Sequence, residues 1–144
     1  MIEKAKITDC QEAAEMAVEM WMDNDPGELE EEFKALVQNP EAAIFLYREE
    51  GQAVGFAQCQ LRHDYVEGTK TSPVGYLEGI YVLPGFRGRG IAKALLNACE
   101  EWAREKGCRE FASDCELDNT GSLAFHLAVG FREANRIICF ARKL

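Results

Sequence analysis

Residues 74–96, VGYLEGIYVLPGFRGRGIAKALL, admit few folds, because the hydrophobic period changes abruptly inside them. Val74, Tyr76, Ile80 and Val82 share one alternation, and branched and aromatic side chains suit a pleated strand. Pro84 and Gly85 end that strand, the first lacking a backbone donor and the second permitting a sharp turn. From Ile91 the spacing becomes helical, with Ile91, Leu95, Ala98, Cys99 and Trp102 along one face. Arg87, Gly88, Arg89, Gly90, Ile91, Ala92 and Lys93 therefore sit where a strand hands over to a helix. Unpaired N–H groups and the positive end of the helix dipole can hold a phosphate there.

Two common phosphate loops fail on spacing. A Walker loop requires Gly-Lys followed by Ser or Thr, and Gly90 is followed by Ile91. Gly85, Gly88 and Gly90 read G-x-x-G-x-G, which is not the dinucleotide fingerprint. What fits is Arg-x-x-Gly-x-Ala after a strand ending Gly-Ile-Tyr-Val. That motif resembles the pyrophosphate-binding loop of the GNAT superfamily of N-acetyltransferases, which implies acetyl-CoA as co-substrate. The competing reading is a glycine-rich turn that merely starts a helix.

At 144 residues the chain is expected to form a single domain, 1–144, with a sizeable core. Its six cysteines form no C-x-x-C pair and no metal-like cluster with the two histidines, so no metal site is expected. No apolar run is long enough to span a membrane, and the opening MIEKAKITDC lacks the apolar core of a signal peptide. A reduced, cytoplasmic setting is the expectation. The formal charge of −9 is unevenly placed: residues 1–50 hold 14 acidic and 4 basic side chains. Such a lobe repels nucleic acid and anionic lipid and attracts cations. A solvated face that only aids solubility would carry the same charge, but beside a CoA-type loop it suits a cationic small-molecule amine.

The remaining elements can be read coarsely. A short strand over 2–7 precedes a helix capped by Thr8 or Asp9, with Cys10, Ala14, Ala17, Val18 and Trp21 in helical spacing. Asp23 to Gly27 breaks it, and Leu29, Phe33, Leu36 and Val37 mark a second helix. Strands follow over Ala43–Arg48 and Ala53–Arg62, then a loop over 63–73. After the central strand and helix come a strand from Arg109 to Cys115, a helix opened by Asp118-Asn119, and a last strand from Phe131 to Arg142. The order β-α-α-β-β-β-α-β-α-β predicts an α/β (α+β) fold with a mixed sheet and a parallel crossover. It is also the order of the acetyltransferase fold. Arg62-His63-Asp64-Tyr65-Val66, Ser72-Pro73, Leu77-Glu78-Gly79-Ile80, Gly107-Cys108-Arg109-Glu110 and Ala112-Ser113-Asp114 resemble aminoglycoside 6'-N-acetyltransferases.

Acetyl transfer to an amine needs a neutral amine, a donor for the developing oxyanion and a proton for the leaving thiolate. By resemblance, backbone groups of Ile80, Tyr81 and Val82 bind the pantetheine arm, N–H groups from Arg87 to Lys93 hold the pyrophosphate, and Asn119 contacts pantetheine. Asn119 reads equally well as a plain helix cap. Glu78, alone in an apolar strand, is the leading carboxylate: it either holds the ammonium, takes its proton, or is salt-bridged to Arg62. Asp114 by resemblance binds a substrate ammonium, while Trp21 and Tyr65 are candidate walls that could equally pack. His126 stands where the superfamily often has a tyrosine acid, and packing or CoA contact competes with proton donation there. Asn135 occupies a position where relatives place an acidic substrate contact.

The resulting expectation is acetyl-CoA-dependent N-acetylation of the 6'-amine of aminoglycosides, by direct transfer in a ternary complex, conferring resistance. Transfer to another polyamine or a protein amine, or a non-catalytic CoA-binding module, are the alternatives. Homodimers are common in the resembled family, although no stretch of this sequence marks an interface.

Overall fold

A computed structural model describes residues 1–144. Five strands form one sheet in the order β1-β2-β3-β4-β5. They are β1 (Ile2–Lys4), β2 (Ala42–Glu49), β3 (Gln52–Arg62), β4 (Val74–Val82) and β5 (Phe111–Ser113). The first four pair antiparallel, whereas β5 joins β4 in parallel. Helices α1 (Cys10–Ala17) and α2 (Pro26–Gln38) connect β1 to β2. Helix α3 (Ile91–Glu105) carries the crossover from β4 to β5, and α4 (Thr120–Ala128) follows β5.

Each sheet face has its own core. On one side α3 sets Leu95, Leu96, Cys99 and Trp102 against Ala57, Leu77 and Val82. On the other, Ala13, Ala14, Leu29 and Phe33 of α1 and α2 cover Ile44, Leu46 and Phe56. Pro26 at the first helical position and Asp25, whose Oδ2 accepts the Glu28 N–H at 3.0 Å, start α2 as an N-cap should. Glu50 and Gly51 form the β2–β3 turn with φ of 50° and 82°, the left-handed pair that a two-residue hairpin favours.

The entry to α1 differs from the expected cap. Ile7–Asp9 form a 3-10 turn, and Asp9 makes no side-chain cap bond to α1. One Asp9 carboxylate oxygen accepts from Lys6 N–H, and the other accepts from Arg48 at 2.9 Å. Arg48 also pairs with Glu3 and Glu12, so one guanidinium ties β1 and the start of α1 to β2. Its side chain is only 17% exposed. Without it three carboxylates would face one another, so Arg48→Met is expected to cost about 2–3 kcal/mol. A lowered urea midpoint with unchanged slope would show this.

Two further expectations need correction. Val74 and Tyr76 do not share a face with Ile80 and Val82. Gln58 pairs with Gly79 and Cys59 with Leu77, which leaves Glu78 as the extra residue of a β-bulge. The bulge shifts the phase, so Ile80 and Val82 join the α3 side while Tyr76 packs with Val66 and Val74. The last strand expected from Phe131 to Arg142 does not form, and residues 131–144 join neither helix nor strand.

Candidate active site

The junction after β4 is built from backbone. Pro84–Phe86 make a 3-10 turn, Arg87 is extended, and Gly88 and Gly90 have φ of 78° and 81°. Gly90 is the N-cap of α3 and offers no side chain to the helix. The helical ladder begins with Ala94 N–H to Gly90 O at 3.0 Å, which leaves the N–H groups of Ile91, Ala92 and Lys93 without an intrahelical acceptor. Arg87 donates through Nε to Val82 O at 2.8 Å and lies over the Tyr81 ring. Arg89 pairs with Glu49 at 3.2 Å. The arginine side chains thus brace the loop, while the main chain stays open to an anion. A diphosphate fits such a cradle.

The edge of β4 opens just above this loop. Parallel pairing with β5 covers only Gly75, Tyr76 and Leu77. Beyond the bulge, Gly79 to Val82 remain bonded to β3 but have no strand on the other side. Ile80, Tyr81 and Val82 therefore line an edge with no neighbouring strand, where Arg87 Nε takes the Val82 carbonyl, and this edge fits the amide-rich arm of CoA.

Beside that edge lies a cavity of about 440 Å³. It brings together Trp21, Glu78, Ile80, Asp114, Asn119 and His126. It also includes Asp23, Ser113 and Glu116, and no lysine or arginine lines it. Four carboxylates around one cavity favour a polycation. Trp21 covers Gly79, where an added Cβ would stand 2.6 Å from its ring, and meets Phe56 edge-on. Tyr65 is 77% exposed and outside this lining, as is exposed Asn135.

The bulge turns Glu78 towards Arg62, whose Nε and Nη2 donate to it at 3.0–3.1 Å. Arg62 in turn stacks 3.4 Å from the centroid of Tyr76. The salt bridge is real, yet Glu78 is also on the cavity wall; the two readings of this residue coexist. Asp114 accepts a short hydrogen bond from the Tyr76 hydroxyl. Burial, with the Asp114 bond second, pushes the Tyr76 phenol well above its ordinary value. The protonated phenol therefore favours the fold, and its contribution is lost as pH rises past the unfolded tyrosine value of about 10. In Tyr76→Phe the last-ionising phenol is expected to vanish from an alkaline absorbance titration, and an unchanged curve would contradict the assignment.

His126 has both ring nitrogens engaged. Nδ1 lies 2.7 Å from the Ser122 carbonyl, which only accepts, so Nδ1 carries a proton. Nε2 then accepts from Ser113 Oγ at 2.8 Å in the neutral ring. Asn119 caps α4, its Oδ1 accepting Ser122 N–H at 3.1 Å, and lines the cavity as well. Ser113, Asp23 and Glu116 escaped the sequence reading. The acidic break after Trp21 was the available signal for Asp23, and the resembling stretch Ala112-Ser113-Asp114 was that for Ser113; Glu116 had none.

Residues 10–131 match the acetyltransferase (GNAT) family. The chain belongs to that family. Aminoglycoside N(6')-acetyltransferase type 1 of Stenotrophomonas maltophilia is 43% identical, over 99% of this acetyltransferase and 93% of its own length. The enzyme of that name from Salmonella typhimurium is 47% identical over 75% and 74%. Among solved structures, AAC(6')-Iy in complex with the bisubstrate analog CoA-S-monomethyl-acetylneamine superposes with a TM-score of 0.95 at 38% identity, covering 100% of this chain and 98% of that one. AAC(6')-Iy in complex with CoA gives a TM-score of 0.97 at 38% identity, covering 100% and 95%.

Proposed function

We propose that this acetyltransferase moves the acetyl group of acetyl-CoA to the 6'-amine of an aminoglycoside, conferring resistance. The observation that carries this reading is the carboxylate-lined cavity set directly against the open β4 edge. Residues 87–93 hold the diphosphate through their N–H groups, and Ile80, Tyr81 and Val82 hold the pantetheine arm. Bound acetyl-CoA supplies the activated acyl group. A backbone N–H on the open edge can donate to the thioester oxygen, where negative charge develops. Glu78 and Asp114 anchor ammonium groups of the acceptor, with Asp23 and Glu116 adding charge. Glu78 accepts the proton of the reacting amine, directly or through water. Trp21 forms the wall at Gly79. Asn119 contacts the pantetheine arm, and His126, once Nε2 is protonated, can give that proton to the leaving thiolate. Much of the rate comes from holding both partners side by side, with no covalent enzyme intermediate.

The setting is cytoplasmic, a reading supported by six free thiols and by the lack of any helix long and apolar enough to cross a membrane. Two copies associate as a homodimer, a reading supported by the exposed apolar C-terminal residues. Release of CoA thiol from acetyl-CoA tests the substrate class. Fast release is expected with kanamycin and little with spermidine. Release with spermidine alone would overturn the aminoglycoside reading and keep the CoA site.

A further inference from the structure

Two side chains that do not line the acceptor cavity join two carboxylates that do. Arg62 closes β3 and Tyr76 lies inside β4, while Glu78 and Asp114 stand on the cavity wall. Arg62 donates twice to Glu78 Oε1, from Nε at 3.1 Å and from Nη2 at 3.0 Å, and once to Oε2 at 3.0 Å. Its guanidinium carbon stands 3.4 Å from the Tyr76 ring centroid. The hydroxyl of that ring donates to Asp114 Oδ2. Glu78, Arg62, Tyr76 and Asp114 thus form one connected row.

Folding needs little from the Arg62–Glu78 bridge. The Arg62 side chain is 41% exposed, and an ion pair so open to water contributes little to stability. Its geometry is the more telling property. Tyr76 is buried and packed with Val66 and Val74, so its ring is a fixed platform. A forked guanidinium resting on such a platform holds a carboxylate in one orientation, which a lysine ammonium cannot do. Glu78 needs that hold, because it shares the cavity with Asp23, Asp114 and Glu116. Like charges there favour its swinging away on a long, rotatable side chain.

The same bonds leave atoms free for a ligand. Tyr76 occupies Oδ2 of Asp114, and Oδ1 is left to accept from an ammonium. Oε2 of Glu78 takes a single bond from Arg62 and has room for a further donor.

We propose that Arg62 and Tyr76 are positioning residues for the acceptor, fixing Glu78 and Asp114 at one spacing for two of its ammonium groups. A wall ordered in advance spares the acceptor the cost of ordering it on binding. The proposal rests on the aminoglycoside reading and adds what sets the geometry of its site.

Steady-state kinetics with kanamycin test it, on Tyr76→Phe and Arg62→Lys, each alone and each combined with loss of the carboxylate it holds. Each single variant is expected to lower kcat/KM for kanamycin about tenfold with CoA affinity unchanged, and in Tyr76→Phe the change lies in KM. On an Asp114→Asn background, Tyr76→Phe is expected to add less than about twofold, and so is Arg62→Lys on Glu78→Gln. Losses that multiply on those backgrounds would overturn the positioning role, since a merely structural residue acts independently of the carboxylates. Full activity in Arg62→Lys would overturn it as well, because charge alone would then suffice. Should Arg62→Lys fail to fold, Tyr76→Phe, which keeps the ring, decides. A wild type that releases no thiol with kanamycin would overturn the aminoglycoside reading and this proposal together. Wild-type turnover with multiplying losses would overturn the proposal alone.

Discussion

Glu78→Gln is expected to lower kcat/KM for a 6'-amino aminoglycoside by about 100-fold, a loss of about 2.7 kcal/mol of transition-state stabilisation. The amide keeps the size of the side chain but carries no charge and takes no proton. Arg62, which donates to both carboxylate oxygens, would lose its ion-pair partner and keep its stack on Tyr76. CoA affinity is expected to stay at the wild-type value, because Glu78 lies on the acceptor side of the β4 edge. Steady-state kinetics beside calorimetric titration with CoA separates these effects. Unchanged kinetics would remove Glu78 from the site, and a matching loss of CoA affinity would show a general disturbance of β4.

Gly90→Val is the converse experiment. The position has φ of 81°, which a β-branched residue adopts only under strain. An added Cβ would meet no protein atom within 4 Å, so the damage falls on the loop conformation and on whatever sits above it. CoA binding is expected to weaken by at least about tenfold, or 1.4 kcal/mol. The cores on both sheet faces remain as they are, so the variant should fold. Wild-type CoA affinity in this variant would contradict the cradle.

What could be read without coordinates depended on range. The strand, loop and helix of residues 74–105 were legible because a period of two gives way to a helical one across Pro84 to Gly90. The residues expected to face CoA came from the resemblance of that junction to the GNAT pyrophosphate loop. The bulge at Glu78 left no trace in the pattern, and an extra residue in a strand transfers everything after it to the other face. For that reason Tyr76 and Ile80 were wrongly placed together, although Glu78 itself does lie on the Tyr76 side. The Asp9 cap failed for another reason: Arg48, distant in sequence, takes its carboxylate. Glu116 lacks any local signal, since only the folded β5–α4 connection brings it to the cavity. The C-terminal run is strand-like in composition, but a strand exists only where something pairs with it.

The central claim is that the cavity presents a 6'-amine to an acetyl donor held on the β4 edge. Two aminoglycosides identical except for a 6'-amine or a 6'-hydroxyl test it most directly, with thiol release followed and the product located by NMR. The account predicts rapid turnover of the amine, an acetyl group on the 6'-nitrogen, and little reaction with the hydroxyl. Equal turnover of the two, or none with either while CoA still binds, would contradict it.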